Sequence, residues 1–263
     1  RLPAELELSI GEVAAVRYPE CIPRLLLVEP ELYRVIRSGE GRVIPPLYTS
    51  ESPTASLDIP RLKRFGPHVR NILLQKRTSQ EIESVLLHTP NVSNLAMWII
   101  SGTCAGLVPI LESLPLRKLS FDPSYFFENY ASDMSIPFDQ PLFRNLTHLE
   151  IINASSSWSK WKQLATLPRL THLALAGMVN QQLIDQILKS CLSLELVIMF
   201  YMNIGDVRVV LLKSVSDHLD HWEKGARGDE DFWVTAQKRK QEAIEQAAKA
   251  ARMPVSEQGI SLI

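Results

Sequence analysis

Apolar residues recur in the middle of the chain in a six-residue pattern, with apolar side chains at its first, fourth and sixth positions. The pattern occurs six times, beginning at Val69, Val92, Leu116, Leu146, Leu170 and Leu194. Successive copies start 23, 24, 30, 24 and 24 residues apart. Positions two residues apart lie on the same face of a β-strand, so each copy predicts one strand of a repeating unit.

The segments between these copies have the pattern of helices. Residues 79–87 and 179–188 place apolar residues at helical spacing behind a polar start. Prolines stand just before three of the copies, where they end a helix and favour extended backbone, at Pro90, Pro115 and Pro168. Each unit is therefore predicted to be a strand followed by a helix, and residues 207–212 predict a further strand at the edge of the sheet.

Over about residues 69–212 this pattern resembles leucine-rich repeats, most closely in the two Leu-Thr-His-Leu stretches that begin at Leu146 and Leu170. The resemblance implies an α/β fold, an irregular leucine-rich-repeat solenoid with parallel strands. The chain departs from the family pattern because the asparagine expected three residues after the last strand leucine is absent. We therefore expect the side-chain ladder of the family to be missing and the curvature to be irregular.

Another apolar pattern precedes the repeats. One helical face would carry Leu2, Leu6, Ile10, Val13 and Ala14. Pro3 suits the first helical turn, where its missing N–H costs nothing. A second apolar set, within residues 25–36, is interrupted by Pro30 and predicts two short helices that meet at an angle.

This N-terminal order resembles a degenerate F-box over about the first 38 residues, and an F-box followed by leucine-rich repeats is common in fungal proteins. The resemblance implies docking on the Skp-type adaptor of a cullin ubiquitin ligase, while the repeats select a protein substrate. The positions that match the motif are Leu2, Pro3, Leu6, Ile10 and Val28. The tryptophan that follows the motif in the family is absent here, and the alternative is a helical cap for the first repeat.

These patterns divide the chain into four segments. Residues 1–38 are the F-box-like segment or cap, 39–60 a connector rich in Gly, Pro, Ser and Thr, 61–215 the repeat domain, and 216–263 a C-terminal cap with a charged helical tail. The last repeat strand is apolar on both faces, and such strands are normally covered on both. We therefore expect the aromatic residues of the C-terminal cap to fold over the last strands, and these are Trp222, Phe232 and Trp233.

Composition excludes several classes of function. With 28 basic and 29 acidic residues the chain has no excess positive charge to bind nucleic acid. Its longest apolar stretch is about ten residues, whereas a membrane-spanning helix needs roughly 20. Three widely separated cysteines predict neither a disulfide framework nor a zinc motif, and favour a reducing compartment, cytoplasmic or nuclear.

The strand positions between the patterned apolar residues should line the concave face of the sheet and contact a partner. The candidate contact residues on that face are Trp98, Lys118, His148, Glu150 and His172. The enlarged third repeat adds three aromatic residues of a type common in interfaces, Tyr125, Phe126 and Phe127. The alternatives are an ordinary solvated face and a loop that packs on the repeats.

The only segment that suggests catalysis is Gly102-Thr-Cys104-Ala-Gly106, which has the spacing of a hydrolase nucleophile elbow. No base can be assigned to Cys104 from the sequence, and two histidines with one carboxylate are too few for a metal site. The prediction is therefore a protein-binding repeat protein without cofactor or catalytic residues. A scaffold with no ligase link and a Cys104 hydrolase are the alternatives.

Overall fold

The computed structural model describes residues 33–39, 42–44, 47, 57–127, 134–201, 204–212 and 217–252. The predicted adaptor-binding positions lie outside these residues, and they are Leu2, Pro3, Leu6, Ile10 and Val28. The repeats and most of the C-terminal cap lie within them.

In the described part of the chain, nine strands form one sheet. They are β1 (Val35–Gly39), β2 (Arg42–Ile44), β3 (Asn71–Thr78), β4 (Asn94–Ser101), β5 (Lys118–Phe121), β6 (His148–Ile152), β7 (His172–Ala176), β8 (Leu196–Met199) and β9 (Val209–Leu211). Their spatial order is β2-β1-β3-β4-β5-β6-β7-β8-β9, and every neighbouring pair except β1 and β2 is parallel. The six predicted repeat strands are β3 to β8 and the predicted edge strand is β9, so the α/β class is confirmed.

Helices and short 3-10 turns connect the strands. The α-helices are α1 (Ile59–Phe65), α2 (Ser79–Leu86), α3 (Val108–Ser113), α4 (Trp158–Trp161), α5 (Gln181–Ser190), α6 (His218–Arg227) and α7 (Phe232–Arg252). The 3-10 helices are Gly66–His68, Ala105–Leu107, Pro123–Tyr125, Pro141–Phe143 and Lys162–Thr166. Polar caps fix where helices begin: Thr78 and Glu81 form a reciprocal capping box at α2, and Asn180 accepts the Leu183 N–H at α5.

Equivalent positions of successive repeats lie side by side in the sheet. Ile72 pairs with Leu95, and the same register continues through Leu119, Leu149, Leu173 and Val197. These side chains are buried in one core together with those two residues further along each strand and with the apolar sides of the helices. We call this side of the sheet the core face. Burial of each large side chain contributes about 1.5 to 3 kcal/mol, so the aligned apolar columns are the main source of stability.

The enlarged repeat is filled by aromatic side chains rather than left as an open loop. Phe126 packs edge-on against Phe121 with ring centroids 5.4 Å apart, and Phe138 contacts Phe143 at 4.9 Å. Phe126 is 8% exposed, and Tyr125 and Phe127 are partly buried against the same core. Phe126 therefore packs on the repeats, which was the stated alternative to contact with a partner, because burial removes the apolar ring from water.

The sheet begins earlier than the sequence pattern indicated. Val35 and Ile36 were expected in a helix and residues 39–60 in a connector, but Val35–Gly39 is a strand parallel to β3 and Arg42–Ile44 pairs with it. Ser38 anchors this strand because its Oγ accepts the Gln75 N–H at 2.6 Å and donates to the Gln75 carbonyl at 3.1 Å. The helix expectation is wrong because Val35 and Ile36 are buried on opposite faces of a strand, and two adjacent apolar residues also fit a helical face.

The two ends of the sheet are different. At one end the outermost strand, β2, is antiparallel to its neighbour. At the other end, the Val209 N–H donates to the Asp206 carbonyl at 2.9 Å, and Arg239 of α7 donates to the outward Leu211 carbonyl at 3.2 Å. Backbone groups on the outer edge of β9 are thus already engaged within the chain.

Among the residues that the structure describes, three other than glycine have left-handed backbone, namely Lys76, Ile99 and Asn153, with φ of 54°, 54° and 55°. Each follows an aligned apolar residue by four positions, so the same local backbone conformation recurs late in β3 and β4 and just after β6. Asparagine tolerates this conformation, whereas a β-branched residue is strained by about 1 to 2 kcal/mol. Ile99 is also 55% exposed, so its side chain gains little from burial.

We predict that Ile99→Asn stabilises the protein by about 1 kcal/mol, because it relieves this strain and removes little buried surface. Chemical denaturation followed by circular dichroism measures the change. Ile244→Asn is the control, since Ile244 is 39% exposed in helix α7, where asparagine is a weaker helix former. A loss of stability in Ile99→Asn as large as in the control would show that the left-handed backbone at Ile99 carries no strain.

Candidate functional site

The face of the sheet opposite the core face carries the predicted partner-binding residues in aligned rows. One row across β3 to β8 consists of Asn71, Asn94, Lys118, His148, His172 and Leu196. The next row consists of Leu73, Ala96, Ser120, Glu150, Ala174 and Ile198. The predicted neighbours His148 and His172 are therefore paired in register, and small side chains flank Glu150 on both sides.

Three neighbouring side chains with polar atoms, those of Trp98, Ser120 and Glu150, lie in the middle of this face. Trp98 Nε1 donates to Ser120 Oγ at 2.8 Å, and Ser120 is the register partner of Glu150. Glu150 is 2% exposed, and its Oε1 has no hydrogen-bond partner among the residues that the structure describes. Burial raises the pKa of Glu150 from 4.5 to about 7, although the Ser120 hydroxyl opposes the shift. Near neutral pH this carboxyl therefore holds its proton for much of the time.

His148 and His172 stack face to face with ring centroids 4.2 Å apart. The Nδ1 atom of each ring lies within hydrogen-bond distance of the preceding threonine hydroxyl, 2.9 Å from Thr147 and 2.7 Å from Thr171. Burial, together with His172 and Lys118, lowers the pKa of His148 from 6.5 to about 3. Burial also lowers the pKa of His172, against the raising effect of Glu195. Both rings are thus neutral at physiological pH, as close stacking requires.

The C-terminal hairpin, which we define as residues 217–252 with helices α6 and α7, packs against this face. We therefore call this side of the sheet the hairpin face. Gly228 ends α6 with a φ of 86°, and Asp231 caps α7 by accepting the Val234 N–H at 2.9 Å. Gly225 lets the two helices approach, because a Cβ there would overlap the Asp231 carboxylate.

Helix α7 covers the last strands. Phe232, Trp233 and Ala236 are buried in a cluster with apolar residues of β7 to β9, namely Ala174, Leu196, Ile198, Phe200, Val210 and Leu212. The Trp233 ring stands edge-on to His148 at 5.0 Å and to His172 at 6.0 Å. The expectation that Phe232 and Trp233 fold over the last strands is confirmed.

Helix α6 reaches the opposite end of the sheet. Trp222 packs with Val35, Leu73 and Ala96, which are on β1, β3 and β4. Arg37 of β1 forms an ion pair with Glu223. His218 at the start of the helix lies 5.6 Å from Phe200, just beyond β8, so α6 crosses the hairpin face from its last strands to its first. Trp222 therefore does not cover the last strands, because the chain crosses the sheet before it reverses at Gly228.

This path corrects the expected binding surface. The predicted contact residues were expected to face a partner, but the hairpin packs at both ends of the face, and Glu150 between these ends is buried. Trp98, Lys118, His148 and His172 are half-buried. A partner can therefore reach Glu150 only if the hairpin moves. Neither the edge-on contact of Trp233 with the two histidines nor the packing of Val35 against Trp222 was predicted from the sequence. Both depend on contacts between distant parts of the chain.

Cys104 does not have the setting of a nucleophile. Its side chain is fully buried, and burial raises the pKa of the thiol to about 11, whereas activation requires a lowered pKa. Its φ of −99° is unstrained, and Gly102 adopts the left-handed backbone of this turn, with a φ of 94°. The described residues contain no group of three metal-binding side chains. The geometry thus gives no support to the hydrolase alternative.

A scan of the sequence against models of protein families finds no matching family, and a search of curated proteins finds no matching relative. Among the described helices, none has both the length and the apolar character to cross a membrane.

The buried ionisable groups predict how stability depends on pH. A carboxyl with a raised folded-state pKa contributes stability below its ordinary pKa and loses it as pH rises, so Glu150 should lower stability between pH 4.5 and about 7. His148, with a lowered pKa, should lower stability as pH falls from 6.5 towards 3. As far as these two groups decide it, the stability of the folded protein should therefore be greatest between about pH 4.5 and 6.5.

We predict that Glu150→Gln becomes more stable relative to the wild type as pH rises from 4.5 to 7, by up to roughly 3 kcal/mol, and that the difference is constant above pH 7. Urea denaturation at each pH measures this difference, with Glu245→Gln on the exposed part of α7 as the control. A difference that does not change with pH would show that Glu150 titrates as a solvent-exposed carboxyl.

We predict that the Cys104 thiol reacts with iodoacetamide at pH 8 more slowly than a model thiol of pKa about 8.5, because it is buried and protonated. Mass spectrometry of the cysteine-containing peptides gives the rate, and the protein unfolded in denaturant is the control. Rapid labelling at pH 6 in the folded protein would contradict this expectation and restore the hydrolase alternative.

Proposed function

We propose that this chain is a protein-binding leucine-rich-repeat protein that folds as an irregular solenoid. The observation that carries the proposal is the constant register, in which each repeat adds one strand to the sheet beside the strand before it. Units stacked in this way bury their apolar positions only against their neighbours and produce an extended surface. Such surfaces are suited to protein partners.

The proposed role is that of a substrate-recognition subunit of a cullin-type ubiquitin ligase. The F-box-like residues 1–38 would bind the Skp-type adaptor through Leu2, Pro3, Leu6, Ile10 and Val28. The repeats would bind a protein substrate and bring it to the ligase. The support for this role is the resemblance of the N-terminal sequence together with the repeats that follow it.

The second candidate is a repeat scaffold with no ligase link. One observation favours it: Val35–Gly39 is hydrogen-bonded directly to β3 and belongs to the sheet. In the sequence, the segment predicted to be helical therefore directly precedes the first strand. A helical segment in that position is suited to cap the exposed end of the first repeat, as stacked repeats require.

We predict that Leu6→Asp and Ile10→Asp each abolish co-purification of the chain with a Skp-type adaptor, because a charge on the apolar face would lose its hydration in the complex. Ser9→Asp adds the same charge at a polar position and is the control. Circular dichroism should show that the repeats remain folded in all three variants. If the wild-type chain does not bind the adaptor at micromolar concentration, the ligase role is wrong and the scaffold is favoured.

A further inference from the structure

The burial of Glu150 on the hairpin face is energetically unfavourable. A glutamate is almost never fully buried unless it is paired, and a buried acceptor without a hydrogen bond costs about 1 to 3 kcal/mol. Glu150 Oε1 has no partner among the described residues, and no ion pair involves this carboxyl there. An apolar residue of similar size would pack beneath the hairpin without that cost.

The hairpin fits the two ends of the hairpin face but not its middle. Trp222 covers the first strands and Phe232 with Trp233 cover the last, in two separate apolar clusters. Between these clusters lies a polar strip that we define by Trp98, Lys118, Ser120, His148 and Glu150. Apolar side chains of α6 and α7 contact the edges of this strip at Trp98 and His148, and no described residue forms a hydrogen bond with Glu150 Oε1.

Among the described residues the polar contacts that hold the hairpin are few, and apart from the partly buried ion pair of Arg37 with Glu223 they lie at exposed sites. Lys240 Nζ donates to the Glu195 carbonyl at 2.7 Å, and Arg239 donates to the Leu211 carbonyl, both at exposed sites. Surface interactions of this kind each contribute about 0 to 1 kcal/mol. The attachment therefore depends mainly on the three buried aromatic residues.

We propose that the hairpin face is a binding surface for a helical segment of a protein partner with an arginine opposite Glu150, and that the C-terminal hairpin occupies this surface until the partner displaces it. The proposal rests on the proposed function as a protein-binding chain. It adds the surface, the chemistry of the partner and the element that regulates access.

The chemistry of the strip determines the partner. The hairpin itself shows that the face accepts helices with aromatic anchors. Ala96, Ser120 and Ala174 are small, so once the hairpin has been displaced a long side chain can lie over them beside Glu150. A guanidinium group can pair with both oxygens of the carboxylate and stack on the neighbouring indole of Trp98. Lys118 is on the adjacent row, where its register partner is His148 rather than Glu150.

The test uses the complete chain with a protease recognition sequence inserted between Leu212 and Asp217, cleaved after folding. The probe is a fluorescent synthetic peptide of residues 217–252, which competes with the cleaved hairpin for its site. A second peptide carries Leu219→Arg, since Leu219 packs in the cluster that contains Trp98. A third carries Leu219→Gln, which has a polar side chain but no charge.

The arginine peptide should bind at least about tenfold more tightly than the glutamine peptide, and this gain should disappear in Glu150→Gln. Glu150→Met is the second variant, in case the first does not fold. Failure of the native peptide to exchange with the cleaved hairpin would overturn the proposal, because the hairpin would then be a permanent part of the fold. The proposal would also be overturned if the arginine peptide still bound more tightly than the glutamine peptide when Glu150 is replaced.

These outcomes are independent of the ligase role. If the peptides behave as expected but no adaptor co-purifies, only the ligase link fails. If the adaptor co-purifies and the arginine gain is absent, only the displaceable hairpin fails.

Discussion

The fold depends on lateral pairing of parallel strands in a constant register. Because Ile72, Leu95, Leu119 and their equivalents lie side by side, every repeat completes the core of its neighbour. No unit of this size could bury its apolar positions alone. The enlarged repeat keeps the register because its extra residues leave the sheet and return, and Phe126, Phe138 and Phe143 fill the added space. The fold therefore depends more on the spacing of the repeat strands along the chain than on the identity of any single leucine.

Which parts of the fold could be predicted from the sequence depends on how far apart the interacting residues lie along the chain. The repeat strands and their buried face depend on local alternation, and they were predicted correctly. Strand β1 was missed because Val35 and Ile36 fit either a helix or a strand, and only pairing with β3 decides between them. The path of α6 was missed for a similar reason: the sequence shows that Trp222 needs burial, but not at which end of the sheet.

The predicted partner-binding residues illustrate the same limit. Register placed His148 beside His172 and Ser120 beside Glu150, as the repeat spacing implies. Whether those side chains face water or another part of the chain depends on residues such as Trp233, which follows His172 by 61 positions and His148 by 85. Among these side chains the two histidines next to Trp233 are half-buried and the Glu150 carboxyl is buried, with pKa values shifted in opposite directions.

The unlike ends of the sheet have a consequence for assembly. A second molecule could lengthen the sheet in register only by offering a parallel strand to a free edge. At one end it would meet β2, which runs the opposite way, and at the other it would compete with Arg239 for the Leu211 carbonyl. Repeats can therefore be added to this architecture within a gene, by duplication between β3 and β8, far more readily than by joining finished molecules into a filament.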